Sequence, residues 1–251
     1  MNNKQALAAI AALALVLPAC KKDKDEDPEH EHHHATINMA FTFQENGEEW
    51  TVDSLLSDSL GHALKVNSAR FFVSGIHAEN DEDVLVGEWP ESYLLVDAAG
   101  SGNTITLGEM EVGHIHQFHF DLGLDSTANH ADPTLASAPL NDATMHWNWD
   151  PAAGYKFLVL EGRYDDDGDG IVQADDPEFI FHCATDDLLT EAHAHVHHTV
   201  VEGETFTAQV LVDMARLFDG IDVLATPSAM GGGPVNARLM TNLSGAIDGV
   251  E

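Results

Sequence analysis

The strongest constraint on this chain is a period-two alternation of apolar and polar residues. It recurs at Thr36 to Phe43, Ala69 to Ile76, Ser92 to Val96, Ile115 to Leu122, Tyr155 to Leu160, Glu178 to His182, Val196 to Val201 and Thr205 to Val212. Successive side chains of an extended strand point to opposite faces, so each segment has one face to bury and one to leave in water. Turn residues separate them: Asn46-Gly47, Gly100 to Asn103, Gly203. The spacing predicts an all-β fold, an antiparallel sandwich or barrel, and we take a sandwich-like single domain over residues 36–251, because no linker or fixed-period repeat interrupts it. Helix is expected to be minor, with long loops. Asp213 to Phe218 opens on an aspartate suited to capping, and Ser54 to Leu60 is a second short candidate. Gly231 to Pro234 reads as a flexible loop, and Asn236 to Leu243 as a last short element.

The N-terminal end has a different character. Residues 1–20 carry Lys4, an apolar run from Ala6 to Val16, and Leu17-Pro18-Ala19 before Cys20. This is a secretory signal ending in a lipobox, too short to span a bilayer, and it predicts a lipid on Cys20 that ties the protein to a membrane. Residues 21–35, KKDKDEDPEHEHHH and one alanine, have nothing to bury and read as a disordered acidic, histidine-rich tether. An acidic patch directly after a lipidated cysteine resembles the export signals of surface lipoproteins. The expected location is therefore the cell envelope, as an outer-membrane lipoprotein that faces the periplasm or is displayed at the surface. With Cys20 lipidated, Cys183 has no intramolecular disulfide partner. Ten basic residues against 43 acidic ones give a formal charge of −33, which excludes nucleic acid and anionic membrane surfaces as partners and favours cations.

One loop has the order of a calcium ligand set. Asp165, Asp167 and Asp169 occupy positions one, three and five, Gly170 position six, Ile171 follows, and Asp176 closes position twelve. Calcium takes six to eight hard oxygens, and the glycine permits the bend that aims three carboxylates and a main-chain carbonyl at one centre. Position twelve is an aspartate, shorter than the usual bidentate glutamate, and Pro177 follows where an exit helix would begin. The expectation is an isolated, structural, EF-hand-like loop between two strands, against the alternative of a merely solvated acidic turn.

Histidine is abundant, at 16 residues. Strict alternation puts His114 and His116 on one strand face with His119 on the other, and His193, His195 and His197 on a face opposite His198. Imidazoles sharing a strand face can chelate a late transition metal, so His193, His195 and His197 form a candidate cluster; the plain alternative is a polar, solvent-facing strand. No Gly-x-Ser-x-Gly or His-Glu-x-x-His is present, and no nucleophile has an evident base, so an enzyme is not expected.

The segment from Met145 to His182 carries an ordered signature: Met145-His146-Trp147-Asn148-Trp149, Gly154-Tyr155, Glu161-Gly162, and Phe179-Ile180-Phe181-His182. It resembles the MbnP-like family of bacterial envelope copper proteins, as do Ala69 to Ile76, Phe118 to Leu124 and Val212 to Phe218. The resemblance implies a β-rich sandwich and a copper ion, as Cu(I), held by histidines and by a tryptophan that a di-haem, MauG-type partner (MbnH) has oxidised to kynurenine. Indole nitrogen is a poor ligand, whereas kynurenine offers an aryl amine and a ketone. Carried onto this chain, the tryptophan is Trp147 or Trp149, with Trp147 preferred, and His182 is the leading histidine; His146 and His116 are further candidates. His146 and Cys183 both depart from the family pattern. Cys183 is expected to be a buried, inert thiol, and Met145, Met230 and Met240 to serve packing. Two rival readings are a histidine-rich zinc or nickel scavenger and a calcium-stabilised structural or adhesive surface module.

Overall fold

The computed structural model describes residues 33–250 apart from 53 and 148–150. The signal, the lipidation site Cys20, the tether up to residue 32 and Trp149 lie outside the described residues. The strands are β1 (His34–Glu45), β2 (Glu48–Glu49), β3 (Leu55–Ser57), β4 (Ala63–Glu79), β5 (Leu85–Trp89), β6 (Leu94–Asp97) and β7 (Thr104–Glu111). They continue as β8 (Gly113–Leu122), β9 (Lys156–Tyr164), β10 (Glu178–Ala184), β11 (Thr190–Val200), β12 (Thr205–Asp213), β13 (Ser228–Gly231) and β14 (Ile247–Gly249), with helices α1 (Ser126–Asn129) and α2 (Pro234–Ala246). Regular structure thus starts at His34, within the end of the segment expected to be tether.

Two sheets face each other. The smaller runs β14-β12-β1-β2, with β7 also on β1; the larger runs β11-β8-β4-β9-β10-β13, with β3, β5 and β6 also on β4. The alternating residues meet between them: Ile37, Met39 and Phe41 from β1, Val210 and Val212 from β12, Phe71, Phe118 and Phe120 from the large sheet, all buried. Phe41 stands edge-on to both Phe71 and Phe120, with ring centroids 6.0 and 5.8 Å apart, a geometry aromatic quadrupoles favour. The sandwich is mixed rather than wholly antiparallel, because β1 pairs with β12 and β10 with β13 in parallel. Parallel partners need a crossover, and between β1 and β12 that crossover includes nearly all of the large sheet.

Local differences from the expected elements have local causes. Ser54 to Leu60 holds the short strand β3 paired with β4 instead of a helical turn. The turn at Met214–Phe218 forms as 3₁₀ helix, its start capped by the Asp213 carboxylate, which accepts from the Ala215 N–H at 3.2 Å. The segment expected as a last short element is a 13-residue helix opened by Pro234 in its first turn and burying Leu239, Met240 and Leu243. Among the described residues no helix is long and apolar enough to cross a membrane.

Candidate metal centre

β9 and β10 form an antiparallel pair, with Phe181 opposite Leu160 and His182 opposite Val159. Alternation along β10 sends Phe179, Phe181 and Cys183 into the core and His182 to the other face. Cys183 is fully buried, its thiol lies 3.7 Å from the Asn236 carbonyl, and burial pushes its pKa well up, as expected of an inert thiol. The His182 imidazole is largely covered, and its Nε2 lies 2.6 Å from Glu161 Oε1. With Nε2 donating to the carboxylate, the lone pair is on Nδ1. The backbone is held as well: the Asn236 amide donates to the carbonyls of His182 and Gly231, at 2.9 and 2.7 Å, tying β10 and β13 to the start of α2.

Trp147 reaches this imidazole from a distant part of the chain. Its ring is buried and stands edge-on to His182, with centroids 6.0 Å apart and planes at 90°. It packs on Ala153 and Ala184, in a small cluster apart from the main core. The route is set by the Gly154-Tyr155 pair. Trp147 donates its backbone N–H to Gly154 O at 2.9 Å, Lys156 donates to Met145 O at 2.7 Å, and His146 and Tyr155 form the bridge between them. Buried Asn129 accepts from the Tyr155 N–H at 2.7 Å and donates to Asp186 at 2.6 Å. Gly154 is obligatory here: its φ is +69°, and a Cβ would stand 2.3 Å from Asn129 Oδ1. Arg70 anchors the preceding loop through Asp142 (2.5 Å) and Thr144 (2.7 Å). Burial alone would raise the Asp142 pKa, but the hydrogen bonds from Thr144 and Arg70 outweigh it and hold the carboxyl below its ordinary value. Burial likewise pulls the Lys156 ammonium below its usual value, partly offset by Glu161.

Met230, expected from sequence to serve packing, does not. It lies in parallel register with His182, on the same face, and is 45% exposed. This register sets a thioether, a soft donor, at the strand position next to an imidazole, a borderline one. The lone signal available in sequence is its place in a glycine-rich stretch with no apolar periodicity around it.

The other candidate residues are distributed as follows. His146 packs edge-on against Tyr155, centroids 5.1 Å apart. His116 does not join His182: β4 and β9 stand between their strands, and three inter-strand steps of ~4.8 Å keep those strands roughly 14 Å apart. It meets His195 and His197 instead, with centroids 5.3 and 4.3 Å away. His193, His195 and His197 do share a face. His119 shares it too, contrary to strict alternation, with its ring 6.0 Å from His193. The break falls where Val196 and His197 both lie opposite His116: there two successive β8 residues, His116 and Gln117, stay off the core between Ile115 and Phe118. A second irregularity, with Gly75 and Ile76 opposite Phe120, belongs to β4 and puts His77 beside His119.

In the acidic loop, Asp165, Asp167 and Asp169 bring ligand oxygens within 4.8 Å of one another. Asp165 accepts from the N–H groups of Gly168 (2.8 Å) and Gly170 (2.7 Å), and Asp169 from that of Ile171 (2.8 Å). Asp176 stands outside this group: its carboxylate accepts from the Gln173 N–H at 2.6 Å, and its carbonyl accepts from Arg163. The Gly170 N–H leads the effects that lower the Asp165 pKa. Asp167 accepts from the Asp169 N–H, which acts to lower its pKa, yet repulsion from Asp169 and Asp165 leaves it raised.

A β-sandwich that brings an indole, an imidazole backed by a carboxylate, and a thioether to one sheet edge defines a β-rich protein with a candidate soft-metal centre. The MbnP family model matches residues 34–231, and the chain belongs to that family. Among solved structures it is similar to MbnP from Methylosinus trichosporium, at 18% identity and a TM-score of 0.53, over 80% of this chain and 82% of that one. At that identity the likeness speaks for the fold. No curated protein sequence matches the chain.

Proposed function

We propose that this protein binds copper in the cell envelope, tethered by a lipid on Cys20, and stores, delivers or sequesters the metal without catalysing a reaction of its own. The ligands would be His182 through Nδ1, the Met230 thioether, and the side chain at position 147 after oxidation of Trp147 to kynurenine by a di-haem, MauG-type partner resembling MbnH. The observation that carries the reading is the edge-on contact of Trp147 with His182, 6.0 Å between centroids, with Glu161 2.6 Å behind the imidazole. A histidine whose second nitrogen is held by a carboxylate is a common second-sphere arrangement at metal sites, fixing tautomer and ring orientation. Imidazole and thioether together suit Cu(I) better than a hard cation. Trp147 as it stands offers no good donor, which is why the reading requires its oxidation.

The Asp165 to Asp176 loop is read as a structural calcium site. Its support is the convergence of Asp165, Asp167 and Asp169 and the fit of carboxylate oxygens to that ion.

The test is Cu(I) competition on protein produced together with a di-haem partner. His182→Ala should weaken Cu(I) binding by about a hundredfold or more while His33→Ala leaves it unchanged, and Trp147→Phe should abolish kynurenine absorbance. Equal effects of the two histidine substitutions would remove His182 from the site. Kynurenine persisting in Trp147→Phe would move the modification to Trp149.

A further inference from the structure

The open face of the large sheet carries a second, chemically different assembly. Because the two bulges realign β4, β8 and β11, seven imidazoles form a continuous row. Along it, ring centroids are 5.0 Å apart for His77 and His119, 6.0 Å for His119 and His193, and 5.3 Å for His193 and His195. The row continues with 5.3 Å for His195 and His116, 4.3 Å for His116 and His197, and 6.2 Å for His197 and His114. None of these rings is in the core, which on these strands is built from Ile115, Phe118, Ala194 and Val196. Carboxylates stand at both ends: Glu79 and Glu191 beside His119, at 3.2 and 3.0 Å, and Asp81 beside His114 and His116, each at 3.1 Å.

We infer that this face binds two divalent late transition ions of the zinc class, one at His116, His195, His197 and Asp81, the other at His77, Glu79 and His119. The inference does not depend on the copper reading. Two nitrogens bound to one tetrahedral zinc at 2.0–2.1 Å stand about 3.3–3.4 Å apart, and the Nδ1 atoms of His116 and His197 are 3.3 Å apart. Asp81 Oδ1 is 3.1 Å from the first and 4.0 Å from the second, in place for a fourth ligand. His195 offers a nitrogen within 4.8 Å of both histidines. At the other end, His119 Nε2 and Glu79 Oε2 are 3.2 Å apart, and Nδ1 of the same ring lies 3.0 Å from Glu191, which would orient it from behind. No thiolate or thioether contributes to either set, so imidazole and carboxylate select a divalent ion over Cu(I). The row and the Trp147 centre therefore select different metals on one sheet.

The experiment is a Zn(II) titration against a chromogenic chelator on the full chain, with Co(II) as a spectroscopic probe. The background carries His30→Asn, His32→Asn, His33→Asn and His34→Asn, so that the N-terminal tract contributes nothing. The expected result is two zinc equivalents and intense, tetrahedral-type cobalt bands. His195→Gln with His197→Gln should remove one equivalent and most of those bands, His77→Gln with His119→Gln the other equivalent, and His182→Ala neither. All these side chains lie on the outer face, and an unchanged melting curve without metal verifies that the variants fold. Zinc stoichiometry unaffected by both pairs, or lost with His182→Ala, would overturn the inference. Loss of Cu(I) binding in any of these variants bears on the copper reading alone.

Discussion

At the scale of single residues, the carboxylate behind His182 sets what that imidazole can do. Glu161 projects from β9 and His182 from β10, and their 2.6 Å contact restrains the ring's rotation and, with Nε2 donating, leaves Nδ1 as the nitrogen that would coordinate a metal in the proposed site. Replacing such an outer partner typically costs 10- to 100-fold in metal affinity. Glu161→Gln keeps the size and one acceptor but loses the charge, so Cu(I) affinity is expected to fall by about tenfold while the metal-free melting temperature stays the same. Competition with a Cu(I) chelator checks this, and unaltered affinity would mean that Glu161 belongs to the surface rather than to the site. Met230 makes the complementary point about reading residues from sequence. A lone methionine among glycines resembles loop filler, and what makes it a candidate ligand is its place as the parallel neighbour of His182, a relation no local pattern encodes.

At the scale of elements, the β9–β10 pair depends on a close approach at Gly162. A Cβ there would lie 2.1 Å from the Lys65 carbonyl and 2.6 Å from the Phe179 ring, which covers the glycine from the facing position of β10. Gly162→Ala must therefore push β4 and β9 apart or displace a core aromatic. Overpacking of this kind costs about 1–3 kcal/mol, and at 2–4 °C per kcal/mol for a domain this size the melting temperature should drop by roughly 2–12 °C. Gly245 is the control, since it sits in α2 with nothing within 4 Å of where an added methyl would stand; Gly245→Ala should be neutral or stabilise by up to about 1 kcal/mol. Equal melting temperatures for the two variants would refute the close-packing account. Period-two alternation is enough to locate the cores of β1, β8, β10 and β12, because each buries mainly one face, whereas β9 buries four successive residues, Phe157 to Leu160. Alternation is not enough for the bulges: where two β11 residues, Val196 and His197, lie opposite His116, both His116 and Gln117 stay off the core, and His119 comes to share a face with His114 and His116. Nor do local patterns reveal parallel pairing: β1 and β12 meet across most of the chain. The helix α2 does carry a legible signal, a proline in the first turn followed by Val235, Leu239 and Leu243 at four-residue spacing.

At the scale of the whole molecule, a charge of −33 makes self-repulsion a cost of the compact state, and the acidic loop concentrates that cost. The loop is also the connection between β9 and β10, the strands that carry Glu161 and His182. Its opposing pKa shifts, Asp165 lowered by N–H donors and Asp167 raised by its acidic neighbours despite the N–H it accepts, describe carboxylates crowded together before any cation arrives. An ion bound by the folded state alone stabilises it by RT ln(1 + [L]/Kd), about 1.4 kcal/mol at ten times Kd. For a domain of this size that is roughly 3–6 °C of melting temperature. Calcium is therefore expected to raise the melting temperature by that amount over chelator, at matched ionic strength so that general screening of the acidic surface cancels. Asp165→Asn, which removes a charge but no volume, should abolish the difference. Identical melting in calcium and in chelator would leave the loop an acidic turn, held by its own Asp165 and Asp169 hydrogen bonds.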